Sequence, residues 1–244
     1  MKKTVLAVFS ILLSISSVFA QESSKNIRVS LTLSPNLSLT RLTTDATKLP
    51  TTGYSNVSNN GAAVRYKAGI ILDFGKGNAV FSTGITYNVR AVNTKWDLSA
   101  NPNAGVPSGE YNYNLQYLQI PLTAKLYTNE IADDMKLYFQ LGPTLDFKIA
   151  EKLNKGASTQ SQPFELSAAN GFFFFDASLL AGAGLEWQLG DATAAFFGLS
   201  YNRGLFNTIN YRAKYNKNAQ TDDKVQNAIT AKTAYVSLDL GIKF

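Results

Sequence analysis

The chain has no cysteine and no histidine among its 244 residues. Without cysteine, an exported chain must hold together with no disulfide, and no lipidated cysteine can anchor it. Without histidine the usual proton acceptor near neutral pH is missing. That excludes Ser-His and Asp-His constellations and argues against a zinc centre. The adjacent carboxylates Asp133-Asp134 and Asp222-Asp223 read as solvated pairs, one in a turn and one in a loop, and no glycine-rich phosphate loop is present. No catalytic residue, metal or cofactor is therefore expected. Charge is also scarce. Asp, Glu, Lys and Arg make up 16% of the chain, against about a quarter in an average globular domain. Long apolar runs are missing as well: beyond residue 20 no stretch of eighteen apolar residues exists to cross a bilayer as a helix.

What is present begins with a leader. Met1-Lys2-Lys3 is basic, Val5 to Val18 is apolar but interrupted by serines, and Val18-Phe19-Ala20 ends in a small residue before polar Gln21-Glu22. This is the pattern of a secretory signal peptide over 1–20, leaving 21–244 as the mature domain. The formal charge of +6 falls to +4 without Lys2 and Lys3, 21 basic residues facing 17 acidic ones. The basic residues are scattered singly. Together with export, that argues against nucleic acid despite a pI near 9.3.

The mature chain alternates apolar and polar residues in eight runs, the period of a β-strand. The first has Val29, Leu31, Leu33, Pro35, Leu37 and Leu39 against Ser30, Thr32, Ser34, Asn36, Ser38 and Thr40. Because a strand proline removes a ladder donor, a bulge or local weakness is expected at Pro35. The others are Ala62 to Phe74, a run about Phe81 to Val89, Tyr113 to Tyr127, Lys136 to Ile149, Phe172 to Gln188, Ala195 to Asn202, and Tyr235 to Phe244. In the fourth, apolar residues move from Tyr113, Leu115 and Tyr117 to Leu118, Ile120, Leu122, Ala124 and Leu126, a slip that suggests a bulge on that strand.

Connections alternate between long ones, about 41–61, 93–112, 150–171 and 203–231, and short ones at 75–78, 128–135 and 189–193. The expected fold class is all-β: an eight-stranded antiparallel up-and-down transmembrane β-barrel in a bacterial outer membrane, with short periplasmic turns and four long external loops. Volume argues for this over a soluble barrel. An eight-stranded interior holds few large side chains, so the many Leu, Phe and Tyr residues must face outward, and outward must be lipid. The opposite face supplies Gly, Ser, Thr, Asn and Gln.

Three sets of residues follow. Phe74, Phe81, Trp187 and Phe244 near the short turns, and Tyr87, Tyr113, Tyr117, Phe147, Phe173, Phe175 and Tyr201 toward the long loops, are expected to form aromatic girdles. The charges expected in the lumen are Arg28, Arg65, Lys67, Asp73, Arg90, Lys125, Lys136, Asp146, Lys148, Asp176, Glu186 and Asp239. Both signs are present, so paired networks should plug the interior, since an unpaired buried charge is expensive. The ending YVSLDLGIKF places Val236, Leu238, Leu240, Ile242 and Phe244 on one face. A terminal aromatic preceded by alternating apolar residues resembles the signal that the barrel-assembly machinery reads.

The stretches YLQIPLTAKLY (Tyr117 to Tyr127) and QLGPTLDF (Gln140 to Phe147) resemble motifs of the PorT-like outer-membrane β-barrel family of Bacteroidota. The resemblance implies an eight-stranded outer-membrane barrel with Pro121 at a bend and Lys125 as a lumen charge. It also implies a link to type IX protein secretion. The expected role is a non-enzymatic scaffold or surface-interaction protein, with a secretion accessory and a small passive channel as alternatives. Expected partners are outer-membrane lipid, the assembly machinery and envelope or secretion-system proteins.

Overall fold

The computed structural model describes residues 27–44, 56–97, 109–155, 164–217 and 221–244; the expected leader lies outside them. All of the secondary structure described is strand: β1 (Ile27–Thr44), β2 (Asn56–Asn59), β3 (Ala63–Phe74), β4 (Ala79–Asp97), β5 (Gly109–Ala132), β6 (Met135–Lys155), β7 (Phe164–Phe172), β8 (Phe175–Gln188), β9 (Ala194–Gly204), β10 (Ile209–Lys217) and β11 (Thr221–Lys243). Eight of these, β1, β3, β4, β5, β6, β8, β9 and β11, pair with their neighbours in antiparallel order, and β1 pairing with β11 closes the ring. Closure leaves no edge and satisfies the backbone inside a bilayer. The chain end belongs to that closure: Phe244 and Val29 exchange both backbone hydrogen bonds.

The side chains are sorted inside out relative to a soluble barrel. Ser30, Ser34, Asn36, Ser38 and Thr40 of β1 are buried, while Leu33 and Leu37 are exposed. On β11, Ser237 and Asp239 are buried between exposed Val236, Leu238 and Leu240. Ile85, Leu126, Phe139, Leu141, Leu179 and Leu199 continue the apolar exterior around the wall.

Where the lumen-facing backbone is crowded, glycine makes room. A Cβ on Gly198 would stand 2.5 Å from the Tyr138 hydroxyl and 2.6 Å from the Ala183 carbonyl oxygen. The Tyr138 ring thus lies in a groove that only hydrogen atoms can line. G198A is expected to lower stability by about 1–3 kcal/mol through overpacking, read as a lower urea midpoint in detergent; an unchanged midpoint would contradict this packing.

Several sequence expectations need correction. Of the bulge or local weakness expected at Pro35, the structure has the weakness and not the bulge: the β1–β3 pairing runs through Pro35 in one register, while the β1–β11 pairing lapses at Ser34 and Pro35 and then resumes unshifted. The slip expected on β5 is absent. Leu115, Tyr117, Gln119, Pro121, Thr123 and Lys125 are all buried in a single phase. Between Leu115 and Lys125 the pairing with β6 shifts once, across from Gln116 and Tyr117, where β6 holds an extra residue, Ile149; the other shifts lie outside this stretch, at Asn112/Tyr113 and beyond Tyr127. The apolar residues of β5 change sides while its backbone does not. The sixth run is broken at Phe173–Phe174, so Phe172 belongs to β7 and the barrel strand starts at Phe175.

The long connections are partly strand. β2 extends the sheet against β4. β7 and β10 continue the lines of β8 and β9 beyond interruptions at 173–174 and 205–208, with β10 paired to the outer half of β11. Asp222 and Asp223 therefore lie in a strand rather than in a loop. β5 has 24 residues and β11 has 23, roughly twice the 9–11 that cross a bilayer. The excess stands on the long-connection side.

Candidate functional site: a charged plug and two barrel mouths

Three ionic clusters fill the lumen between its two ends. At the outer end, Arg90 of β4 is fully buried. Its Nη2 lies 2.6 Å from Asp146 Oδ1 and its Nη1 3.3 Å from Asp176 Oδ2. The rings of Tyr117 and Tyr235 flank the guanidinium at 4.8 and 4.9 Å, in cation–π range. Asp146 also accepts hydrogen bonds from Gln119 Nε2 at 2.7 Å and Ser178 Oγ at 2.8 Å. Asn88 and Gln119 both donate to the Tyr235 hydroxyl. Residues 89–94 of β4 are buried on both faces. Here β4 approaches β1 directly: Asn36 Nδ2 donates to Val89 O at 3.2 Å, and Asn93 N donates to Thr40 Oγ1 at 2.9 Å. This end is closed by packed side chains and backbone.

In the middle, Lys67 Nζ lies 3.1 Å from Asp239 Oδ1, beside a cavity of about 50 Å³. That is room for a few water molecules at most. At the end carrying the short turns, Lys243 Nζ binds Asp73 at 2.8 Å, Glu186 at 2.5 Å and the Tyr127 hydroxyl at 2.7 Å. Lys125 adds a second ammonium 3.0 Å from Asp73, and Ser82 donates to the same carboxylate. Beyond this cluster the lumen widens into a vestibule of about 350 Å³.

Of the charges expected in the lumen, Lys67, Asp73, Arg90, Lys125, Asp146, Asp176, Glu186 and Asp239 are buried in these clusters. The other four stand nearer the mouths. Arg65 donates to Asn114 Oδ1 at 2.7 Å, and Lys148 pairs with Glu151 at 2.6 Å. Arg28 and Lys136 line the vestibule. Lys243 was missed by sequence reasoning, although it shares the phase of Ser237 and Asp239.

Among the rings assigned to the girdles, Phe81, Phe173, Phe175, Trp187 and Tyr201 are exposed. Phe74, Tyr87 and Phe147 are half-buried, Phe147 resting against Phe174 and Phe175. Tyr117 is no girdle residue: it is 0% exposed and lies against Arg90. Tyr113 is half-buried in the same strand phase and packs edge-on against buried Phe172. Leu115, also 0% exposed, joins them in an apolar upper lumen. Val236, Leu238, Leu240 and Ile242 of the chain end face outward.

A closed antiparallel ring with an apolar exterior and a polar, charge-paired interior defines a bacterial outer-membrane β-barrel. The family model for the outer membrane protein beta-barrel domain matches residues 19–210, and the chain belongs to that family. OprG from Pseudomonas aeruginosa is similar in fold, with a TM-score of 0.51 at 12% identity over 90% of this chain and 96% of that one. The outer membrane protease OmpT from Escherichia coli gives 0.48 at 12% over 91% and 97%, and Neisserial surface protein A gives 0.44 at 12% over 91% and 98%. At such identity the likeness concerns the fold alone. No curated protein matches the chain. The protein resides in the bacterial outer membrane.

Proposed function

We propose that this barrel is a non-enzymatic, non-conducting membrane body that carries an interaction surface on its extended outer strands. The sealed lumen is the observation that supports this reading. Arg90 with its two carboxylates, and the Lys67–Asp239 pair below, stand across the path a solute would take. Small barrels are usually filled in this way. The test is conductance of the purified protein in planar lipid bilayers. The expected result is no step above lipid background at ±100 mV; reproducible unitary steps would overturn the reading in favour of a passive channel.

The absence of histidine supports the non-enzymatic part. Residues 1–20 would direct export. The assembly machinery would then read the terminal strand, whose outward residues end at Phe244. Deleting Phe244 is expected to reduce heat-modifiable, membrane-inserted protein several-fold in cells, and normal insertion would refute that role.

A second reading, an accessory of type IX secretion in a PorT-like protein of Bacteroidota, draws support from the Tyr117–Tyr127 and Gln140–Phe147 stretches. Pro121 and Lys125 both face the lumen, and Lys125 is held by Asp73. Loss of secreted proteins on deletion, with an intact envelope, would favour it.

A further inference from the structure

We propose that the vestibule at the short-turn end is a periplasm-facing binding site for a small polyanion bearing carboxylate or phosphate groups. Its volume of about 350 Å³ falls in the range of small-ligand sites, ~300–1,000 Å³. The floor is electrically complete. Lys243 and Lys125 face Asp73 and Glu186, two ammonium groups against two carboxylates, all buried and in contact. The rim is not complete. Arg28, whose side chain is 57% exposed, reaches Glu186 only at 3.6 Å. Among the described residues Lys136 pairs only with the exposed Glu130, at 3.5 Å. Lys76 sits at the tip of the β3–β4 turn and has no ion pair or hydrogen bond among the described residues. Nothing lies within 4 Å of where a Cβ on the adjacent Gly77 would be, so the approach to Lys76 is open.

Two physical effects make a site of these three cations. The vestibule is walled by a sheet embedded in hydrocarbon, and low-dielectric walls confine field lines to the aqueous cleft. Among the residues that line the vestibule the floor is neutral, as is the Lys67–Asp239 pair above it, so the rim cations Arg28, Lys76 and Lys136 give the lining its positive sign. The carboxylates of Glu130, Asp133, Asp134 and Asp191 at the neighbouring turns stand outside that lining. Multiple charge on the ligand matters because the rim is solvated: salt screens a single exposed pairing, whereas several simultaneous ones hold. The lumen above narrows to a cavity of about 50 Å³ and closes at Arg90, so the ligand would be retained at this mouth.

The test uses the mature full-length protein in zwitterionic detergent micelles, titrated at low salt with citrate and separately with pyrophosphate, following amide NMR shifts. The expected result is saturable binding that moves the amides of Gly75 to Asn78 and Lys136 while leaving Arg90 unmoved. The stronger of the two anions identifies the group recognised. The R28Q/K76Q/K136Q variant should bind at least tenfold more weakly. The single K76Q variant, which removes a side chain with no partner among the described residues, should show a several-fold loss even if the triple variant fails to assemble. K95Q at the opposite end should bind as the unaltered protein does. No saturable shift with either anion, or undiminished affinity in K76Q and in the folded triple variant, overturns the proposal. Neither result depends on whether the barrel conducts.

Discussion

Replacing Arg90 by methionine is expected to destabilise the barrel by about 3–5 kcal/mol, the cost of removing one partner from a buried ionic network. The guanidinium is 0% exposed, and so is Asp146; Asp176 is 1% exposed. Methionine would fill much of the volume and keep contact with Tyr117 and Tyr235, so the effect would be chiefly electrostatic. Two carboxylates would remain in a closed space with no cation. Asp146 would keep hydrogen bonds from Gln119 and Ser178, and Asp176 backbone N–H contacts from Phe206, at 3.4 Å, and Ala177, which is little compensation for two desolvated negative charges.

Removing the charge from all three positions should behave differently. The triple variant R90M/D146N/D176N is expected to recover most of the loss, because a neutral set avoids the desolvation that the ions incur. Urea unfolding in detergent micelles, followed by gel migration of unboiled samples, reads both variants. If R90M alone unfolds at the same urea concentration as the unaltered protein, the outer cluster does not hold the plug. If the triple variant is no better than R90M, lost packing rather than stranded charge explains the effect.

The same cluster shows what was and was not legible in the amino-acid sequence. Its charged members were evident because charge on the polar phase of a strand has nowhere to go but the lumen. Its aromatic members were not. Tyr117 and Leu115 look like lipid-facing residues, since alternation reports that two faces differ without saying which face is inside. On β5 the inside itself changes character along its length, from Leu115 and Tyr117 above to Gln119, Thr123 and Lys125 below. A change in what a face contacts resembles a slip in the chain, and the register shift within this stretch lies on the neighbouring strand at Ile149.

The eight barrel strands were readable because each must present hydrocarbon-compatible residues at every second position over a full bilayer crossing. β2, β7 and β10 lie in segments rich in Asn, Ser, Thr, Gly and Lys. Outside the membrane, ladder hydrogen bonds and one solvated face sustain a strand without that constraint, so their composition reads as loop. Lys243 was hidden for another reason: it lies in a segment whose apolar alternation drew attention to the other phase. Ser237, Asp239, Gly241 and Lys243 form a lumen stripe as regular as the lipid stripe beside it.

The claim that this outer face meets hydrocarbon makes the second large prediction. Leu199 is 60% exposed and lies midway along β9, beside Leu238 of β11. L199R is expected to lower stability in phospholipid vesicles by about 2–4 kcal/mol, the cost of a cation at the bilayer midplane of a transmembrane barrel. Leu189, in the turn between β8 and β9, is 53% exposed, so accessibility alone hardly distinguishes the two positions. Depth does: L189R lies at the interface, where the cost falls to about 0–1 kcal/mol. Were the wall bathed in water, both substitutions would fall within about 0.5 kcal/mol of neutral, as solvent-exposed changes usually do. Urea unfolding of vesicle-inserted protein measures the difference. A pair of equal, small effects would mean that the exposed leucines of this barrel do not face lipid. A large effect confined to Leu199 would show that the side chains were sorted by the solvent outside the wall, with the lumen taking the polar residues the bilayer excludes.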